Sequence, residues 1–221
     1  MEVGDQTITI TVSDDGFDYC TCNRTVDVRC VDGVSKASAL VFLSSTKSDA
    51  ALGGPRGADQ TCVDLARAAG LGGYWFSWTS DACTSPSQRF EQSTLPYRMV
   101  DGTEISPSWD RMTMDPPPTG MGYLGAPIDM DEYGNIPATP DQCGSSSNPP
   151  QGCFVWTNTT VAGERHINNG CLGLTTNDSI FAKSTAGKIT SVSRGWTDGA
   201  NWTCGTDNLR LYCFEQSAAN P

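Results

Sequence analysis

The chain has 221 residues, with 14 Lys and Arg against 25 Asp and Glu and a formal net charge of -11. That balance makes phosphate backbones and anionic lipid surfaces poor partners, because counterion release needs clustered cations. With 38% hydrophobic residues the chain is too apolar for extended disorder, yet no run approaches the ~20 apolar residues of a membrane span, so one hydrophobic core with an appendage and no transmembrane segment is expected.

The opening residues, MEVGDQTITITV, carry acids early and no long apolar stretch, so they are not read as an export signal. Within them residues 6–12 alternate Ile8, Ile10 and Val12 with threonines, the period-two pattern of a half-buried strand. A second short strand is expected at 25–31. Cys20, Cys22 and Cys30 stand between and within these segments, so residues 1–37 are expected to form a disulfide-stapled β-hairpin ahead of a main domain at 38–217.

In the main domain ALVFLSS at 39–45 reads as a buried strand. Gly53, Gly54, Pro55 and Gly57 break the chain before Ala58, Cys62, Leu65, Ala66 and Ala69, which recur at helical spacing, with Gly70 as the stop. YWFSWTS at 74–80 has strand composition, and Ser85 with Pro86 starts a short helix through Phe90. Asp101-Gly102 between YRMV and TEIS signals a hairpin. From 106 to 153, the run Pro116-Pro117-Pro118, a Gly-rich stretch and a Ser-rich stretch predict long loops. Short strands are expected at CFVWTNT, IFAKS and LRLYCFEQ.

Ten cysteines accompany a single histidine. No C-x-x-C pair occurs and His166 stands alone in sequence, so a disulfide framework outweighs a zinc site and points to an oxidising compartment, extracellular or at the cell surface. Sequons at Asn23, Asn158, Asn177 and Asn201 are compatible with export.

Three motifs bear on chemistry. Asp129, Asp131, Glu132 and Asn135 crowd oxygen ligands into seven residues, a density that suits Ca2+, although Tyr133 and Pro140 break the EF-hand register. The plainer alternative, and the weightier one, is a turn capped by Asp and Asn side chains, with Glu132 equally able to face solvent. His166 is the one imidazole a hydrolase could use, with Glu164, Asp178 or another acid to orient it, but no G-x-S-x-G elbow accompanies it, so it is read as a surface-loop residue and the chain as a non-enzyme. Among the tryptophans, Trp75 and Trp78 lie in a strand-like apolar run and read as core, whereas Trp196 and Trp202 stand among Gly, Asp, Asn and Thr and are expected to be the more exposed.

LVFLSSTKSDAALGGPRGADQTCVDLARAAGL, YWFSWTSDACTSPSQRF, LPYRMVDGTEI, GAPIDMDEYGN and LRLYCFEQ, in that order over about 39–216, resemble the bacterial surface domains related to collagen endostatin, members of the C-type lectin-like fold. The resemblance implies an α+β domain with two main helices, short antiparallel strands and a long loop region. It also implies the disulfides Cys62–Cys213 and Cys171–Cys204, with Cys143–Cys153 as a local clasp and Cys20, Cys22, Cys30 and Cys83 pairing among themselves. The calcium-binding lectin motifs are not intact, because Trp196-Thr197-Asp198 replaces the amide of Trp-Asn-Asp by a hydroxyl. Heparin binding is not carried over, given the acidic charge. The expected function is non-catalytic recognition of a glycan or an extracellular or matrix protein through the long-loop face at about 106–208. Trp196, Asp198, Asn201, Trp202 and Asp207 are its candidate ligand-binding residues. The alternative is a structural subunit of an extracellular appendage or surface layer, assembled into oligomers through the N-terminal hairpin.

Overall fold

The computed structural model describes residues 8–9, 25–26, 37–138, 142–143, 151–166, 170–178 and 182–216. The chain divides into two units, Met1–Ser35 and Lys36–Pro221. In the first, strand β1 (Ile8–Thr9) pairs antiparallel with β2 (Thr25–Val26), Ile8 opposite Val26. The rest of the expected hairpin, including Cys20, Cys22 and Cys30, lies outside the described residues.

The second unit is α+β. Strands β3 (Ala39–Leu43), β4 (Tyr74–Ser77), β5 (Tyr97–Arg98), β6 (Glu104–Ser106) and β10 (Tyr212–Gln216) form a five-stranded sheet in the order β4-β10-β3-β5-β6. The last strand by sequence lies between two early ones, antiparallel to both, with Phe214 opposite Val41 and Phe76. Strand β3 runs parallel to β5, and β5 turns through Asp101-Gly102 into β6. Every residue of β10 is buried, and four of the five in β3, which is why these strands lack a simple in-out alternation. Two polar members of β10 are bonded: Glu215 accepts the Leu40 amide at 3.1 Å and Gln216 accepts the Glu91 amide at 2.8 Å.

Helix α1 (Gly54–Ala68) opens after Gly53, whose φ of 78° is left-handed, with Pro55 in its first turn. It buries Ala58, Cys62 and Ala66 at a spacing of four, a narrow stripe of small side chains that lets the helix lie close to the sheet. Cys62 is bonded to Cys213 on β10. Asp59 on the same helix accepts from the Ser77 amide at 2.7 Å and hydroxyl at 2.8 Å, and pairs with Arg89 at 2.6 Å. Arg89 belongs to α2 (Pro86–Arg89). Ser85 precedes α2 as expected, but its hydroxyl bonds Ser87 and Gln88 side chains and does not cap the helix. A further turn of helix, α3 (Trp109–Thr113), interrupts the segment expected as loop; Ser108 caps it by accepting from the Arg111 amide, and Trp109 and Met112 fasten it to the core.

Strands β7 (Phe154–Trp156), β8 (Lys183–Lys188) and β9 (Ala200–Thr203) form an antiparallel three-stranded sheet in that order. Strand β8 takes in the end of IFAKS, whose first two residues lie outside the described ones, and β9 was not expected. Arg210 joins the two sheets: its amide donates to Phe154 and its carbonyl accepts from Trp156, each at 2.9 Å. Trp78 centres the core, with Trp196 at 4.8 Å, Phe214 at 5.4 Å, Trp109 at 5.6 Å and Phe90 at 5.7 Å between ring centroids. Trp75 and Trp78 are therefore core residues, as read from sequence.

The expected disulfides Cys62–Cys213, Cys143–Cys153 and Cys171–Cys204 are present, and Cys83 is disulfide-bonded too. Cys171 opens an unusual turn, Cys171–Leu174, in which all four residues have φ between 53° and 74°. A left-handed turn containing leucines stores backbone strain. It is held by the Cys171–Cys204 bond and by the Leu52 amide, which donates to Leu174 at 3.0 Å. Among the described residues no helix is long and apolar enough to cross a membrane.

Candidate functional site

Of the residues considered as calcium ligands, Asp131 and Glu132 are engaged within the scaffold. Asp131 accepts from the amides of Tyr133 at 3.0 Å and Asn135 at 2.8 Å, and from the Asn135 side chain at 3.3 Å, which makes it the cap of its own turn. Glu132 does not face solvent. It is buried, and its carboxylate accepts from both the amide and the hydroxyl of Ser45. The buried Arg210 donates to the carbonyls of Ser44 and Ser45 at 2.7 and 2.6 Å. Burial lowers the pKa of that guanidinium, and the charges of Asp131 and Glu132 oppose the shift. Asp129 is also buried, and burial first, then the charge of Asp101, raises its pKa. Among the described residues no three His, Cys, Asp or Glu side chains gather where they could hold a metal ion.

The candidate ligand residues separate. Trp196 is fully buried against Trp78 and Tyr212 and is not the exposed platform expected of it. Gly187 on β8 lies against this segment: a Cβ there would overlap the carbonyl oxygen of Trp196, so only glycine allows the two backbones to approach this closely. Trp202 is half-buried against Phe154 at 5.2 Å. Asn201 is exposed on β9 and accepts from Thr185 at 3.4 Å, while Asp207 accepts from Asn208 at 2.6 Å.

Asp198 enters a chain of polar groups that links separate loops. It lies 3.6 Å from His166 Nε2 and 4.0 Å from Arg194. Arg194 pairs with Asp115 at 2.7 Å, and Asp115 accepts from the Tyr123 hydroxyl at 2.6 Å. The Tyr123 bond first, then Arg194, lowers the Asp115 pKa, and the same bond raises that of Tyr123. Of the acids that could orient His166, taken from sequence as Glu164, Asp178 or another, the one placed beside it is Asp198. No hydroxyl or thiol among the described residues is hydrogen-bonded to either ring nitrogen, and Nδ1 is buried without a partner.

Next to this chain lies a groove of about 470 Å³ between β6 and residues 121–125, lined by Ile105, Arg111, Met121, Tyr123, Leu124 and Val192 among others. Sequence reading passed over it, because its walls come from distant segments. The available local signal was Met121, an apolar residue between glycines in a stretch otherwise read as loop. No protein-family model matches this chain, and no curated protein matches it either.

Proposed function

We propose that this chain is a non-catalytic recognition module, exported or displayed on a cell surface, that binds a glycan or an extracellular protein through its long-loop side. The observation that carries this reading is the placement of exposed apolar side chains. Met114, Met121, Tyr133, Ile136, Leu172 and Val192 all fall within 106–208, and Tyr74 is the one large exposed apolar side chain among the described residues outside it. Apolar side chains exposed along the connecting segments of a two-sheet scaffold, two of them between Cys171 and Cys204, are what a binding face would use. The half-buried Trp202 on β9 adds an aromatic edge beside Asn201, suited to a sugar ring. The fold expected from the endostatin-like resemblance, a C-type lectin-like domain, uses its long loops in the same way.

The test is binding of the oxidised chain to an array of glycans and matrix proteins, with and without chelator. A specific hit weakened by Trp202→Ala or Leu172→Ser supports the reading. A hit lost in chelator brings Ca2+ back as a bridging ion. No hit at high protein concentration sets recognition aside in favour of the structural subunit. That second reading draws on the N-terminal unit, in which two short strands pair among the described residues, a form marginal in isolation. Sedimentation of the full chain decides it, since a monomer at high concentration excludes self-assembly.

A further inference from the structure

We propose that the groove between β6 and residues 121–125 is a site for a small amphipathic ligand, with an apolar body and a carboxylate or comparable anionic head. Its volume of about 470 Å³ lies within the size range of ligand pockets, which are mostly apolar with a few convergent polar groups. Ile105 and Leu124 form buried apolar walls. Met121 is 62% exposed and Val192 36% exposed at the rim. Such side chains stay in water unless something covers them, and methionine adapts its shape to what does.

Arg111 supplies the head group's partner. Its Nη2 donates to the Gly122 carbonyl at 2.8 Å, while Nη1 is buried and has no acceptor among the described residues. Arg111 is among the residues lining the groove, and a guanidinium keeps its proton throughout the accessible pH range, so it sets a fixed positive charge beside the apolar walls. An anionic acceptor forms the stronger, charge-assisted bond. The one acid among the described residues lining the groove, Glu104, is engaged with Arg98 at 2.5 Å. This site goes beyond the recognition reading and does not depend on it: an array without hits leaves the groove in place, and an empty groove leaves an array hit in place.

The experiment titrates the full oxidised chain with decanoate and with the neutral decanol, by calorimetry and by amide shifts of residues 122–124. Saturable 1:1 binding is expected, with decanoate tighter on the order of tenfold, as one charged hydrogen bond implies. Met121→Glu and Val192→Glu replace side chains 62% and 36% exposed and are expected to abolish binding of both probes, with the unfolding midpoint followed alongside to show that each variant is folded. Arg111→Gln is expected to bring decanoate down to the affinity of decanol and leave decanol unchanged. No saturable binding of either probe, or binding unaffected by the two rim substitutions, overturns the site. Equal affinity for decanoate and decanol in the unmodified chain overturns the anionic head, a comparison that stands even if Arg111→Gln fails to fold.

Discussion

Two Arg–Asp pairs of nearly equal length hold different parts of this molecule. Arg89 meets Asp59 at 2.6 Å with side chains 9% and 18% exposed, whereas Arg194 meets Asp115 at 2.7 Å with side chains 53% and 35% exposed. The first pair is packed and bonded on several sides. The Arg89 guanidinium lies over the rings of Phe76 and Phe90 and also donates to the carbonyls of Ser77 and Thr79, while Asp59 takes the amide and hydroxyl of Ser77. Parting these groups would leave a charge inside the protein, so α1, β4 and α2 are fixed to one another. Parting Arg194 from Asp115 returns both to water, where exposed pairs contribute little. The scaffold is locked by polar bonds that cannot open singly, and the loop side is joined by bonds that can, which suits a rim that reshapes around a ligand.

The same contrast ranks the disulfides, and the largest expected effect is there. Cys62–Cys213 spans 151 residues and Cys143–Cys153 spans 10. Loop-closure entropy assigns about 5 kcal/mol to the long bridge and about 3 kcal/mol to the short one. Urea unfolding of the double serine variants should therefore show a clearly greater loss for the pair binding α1 to β10. Equal losses would mean that native-state geometry, not chain entropy, sets the contribution.

Arg89→Met comes next, with an expected loss of about 3 kcal/mol or more from leaving Asp59 buried and unpaired. Asp59→Asn in the same background should recover part of it, and a failure to recover would place the loss in packing over Phe76 and Phe90. Gly187→Ala tests the junction between the sheets. The added methyl overlaps the Trp196 carbonyl, so a loss of about 1 to 3 kcal/mol is expected, together with a red shift of tryptophan emission as Trp196 meets water. An unchanged spectrum would mean that Trp196 is held inward by other contacts.

Where structure depends on neighbours in the chain, the sequence was legible. ALVFL announces β3, the Ala58-Cys62-Ala66 stripe announces α1, and Asp101-Gly102 announces the turn between β5 and β6, because each signal is contiguous and its cause is local. Trp196 was misread for the opposite reason. Its neighbours Gly195, Thr197, Asp198 and Gly199 are those of an exposed loop, but Thr197 accepts from the Trp78 indole across 119 positions and Gly187 opens the space. Strand β9 and the turn at 171–174 were missed likewise: the strand is defined by its register with β8, and nothing in Cys-Leu-Gly-Leu beyond Gly173 marks a left-handed turn. Of the candidate site residues, Asp198 sits in the polar chain of the loop side and Asn201 and Trp202 sit on β9, while Arg111 and its groove required residues far apart in sequence.

The smallest expected effect falls on the exposed pair, and its value lies in that smallness. Asp115 has its pKa lowered by Tyr123 and Arg194. Such a group stabilises the fold above the ordinary carboxylate range, and that contribution is lost as pH falls through the lowered pKa. Because the pair is open to solvent, that contribution is small, and Asp115→Asn should leave the unfolding midpoint at neutral pH close to its original value. The Tyr123 phenol should respond all the same, returning toward the ordinary tyrosine value once its carboxylate acceptor is gone, as followed by NMR of its ring. A drop in the unfolding midpoint comparable to that of Arg89→Met would show that the loop side is locked as firmly as the scaffold. The adaptable rim would then have to be given up. A shifted tyrosine with a nearly unchanged midpoint is the signature of a bond that holds the loops in register but leaves them free to part.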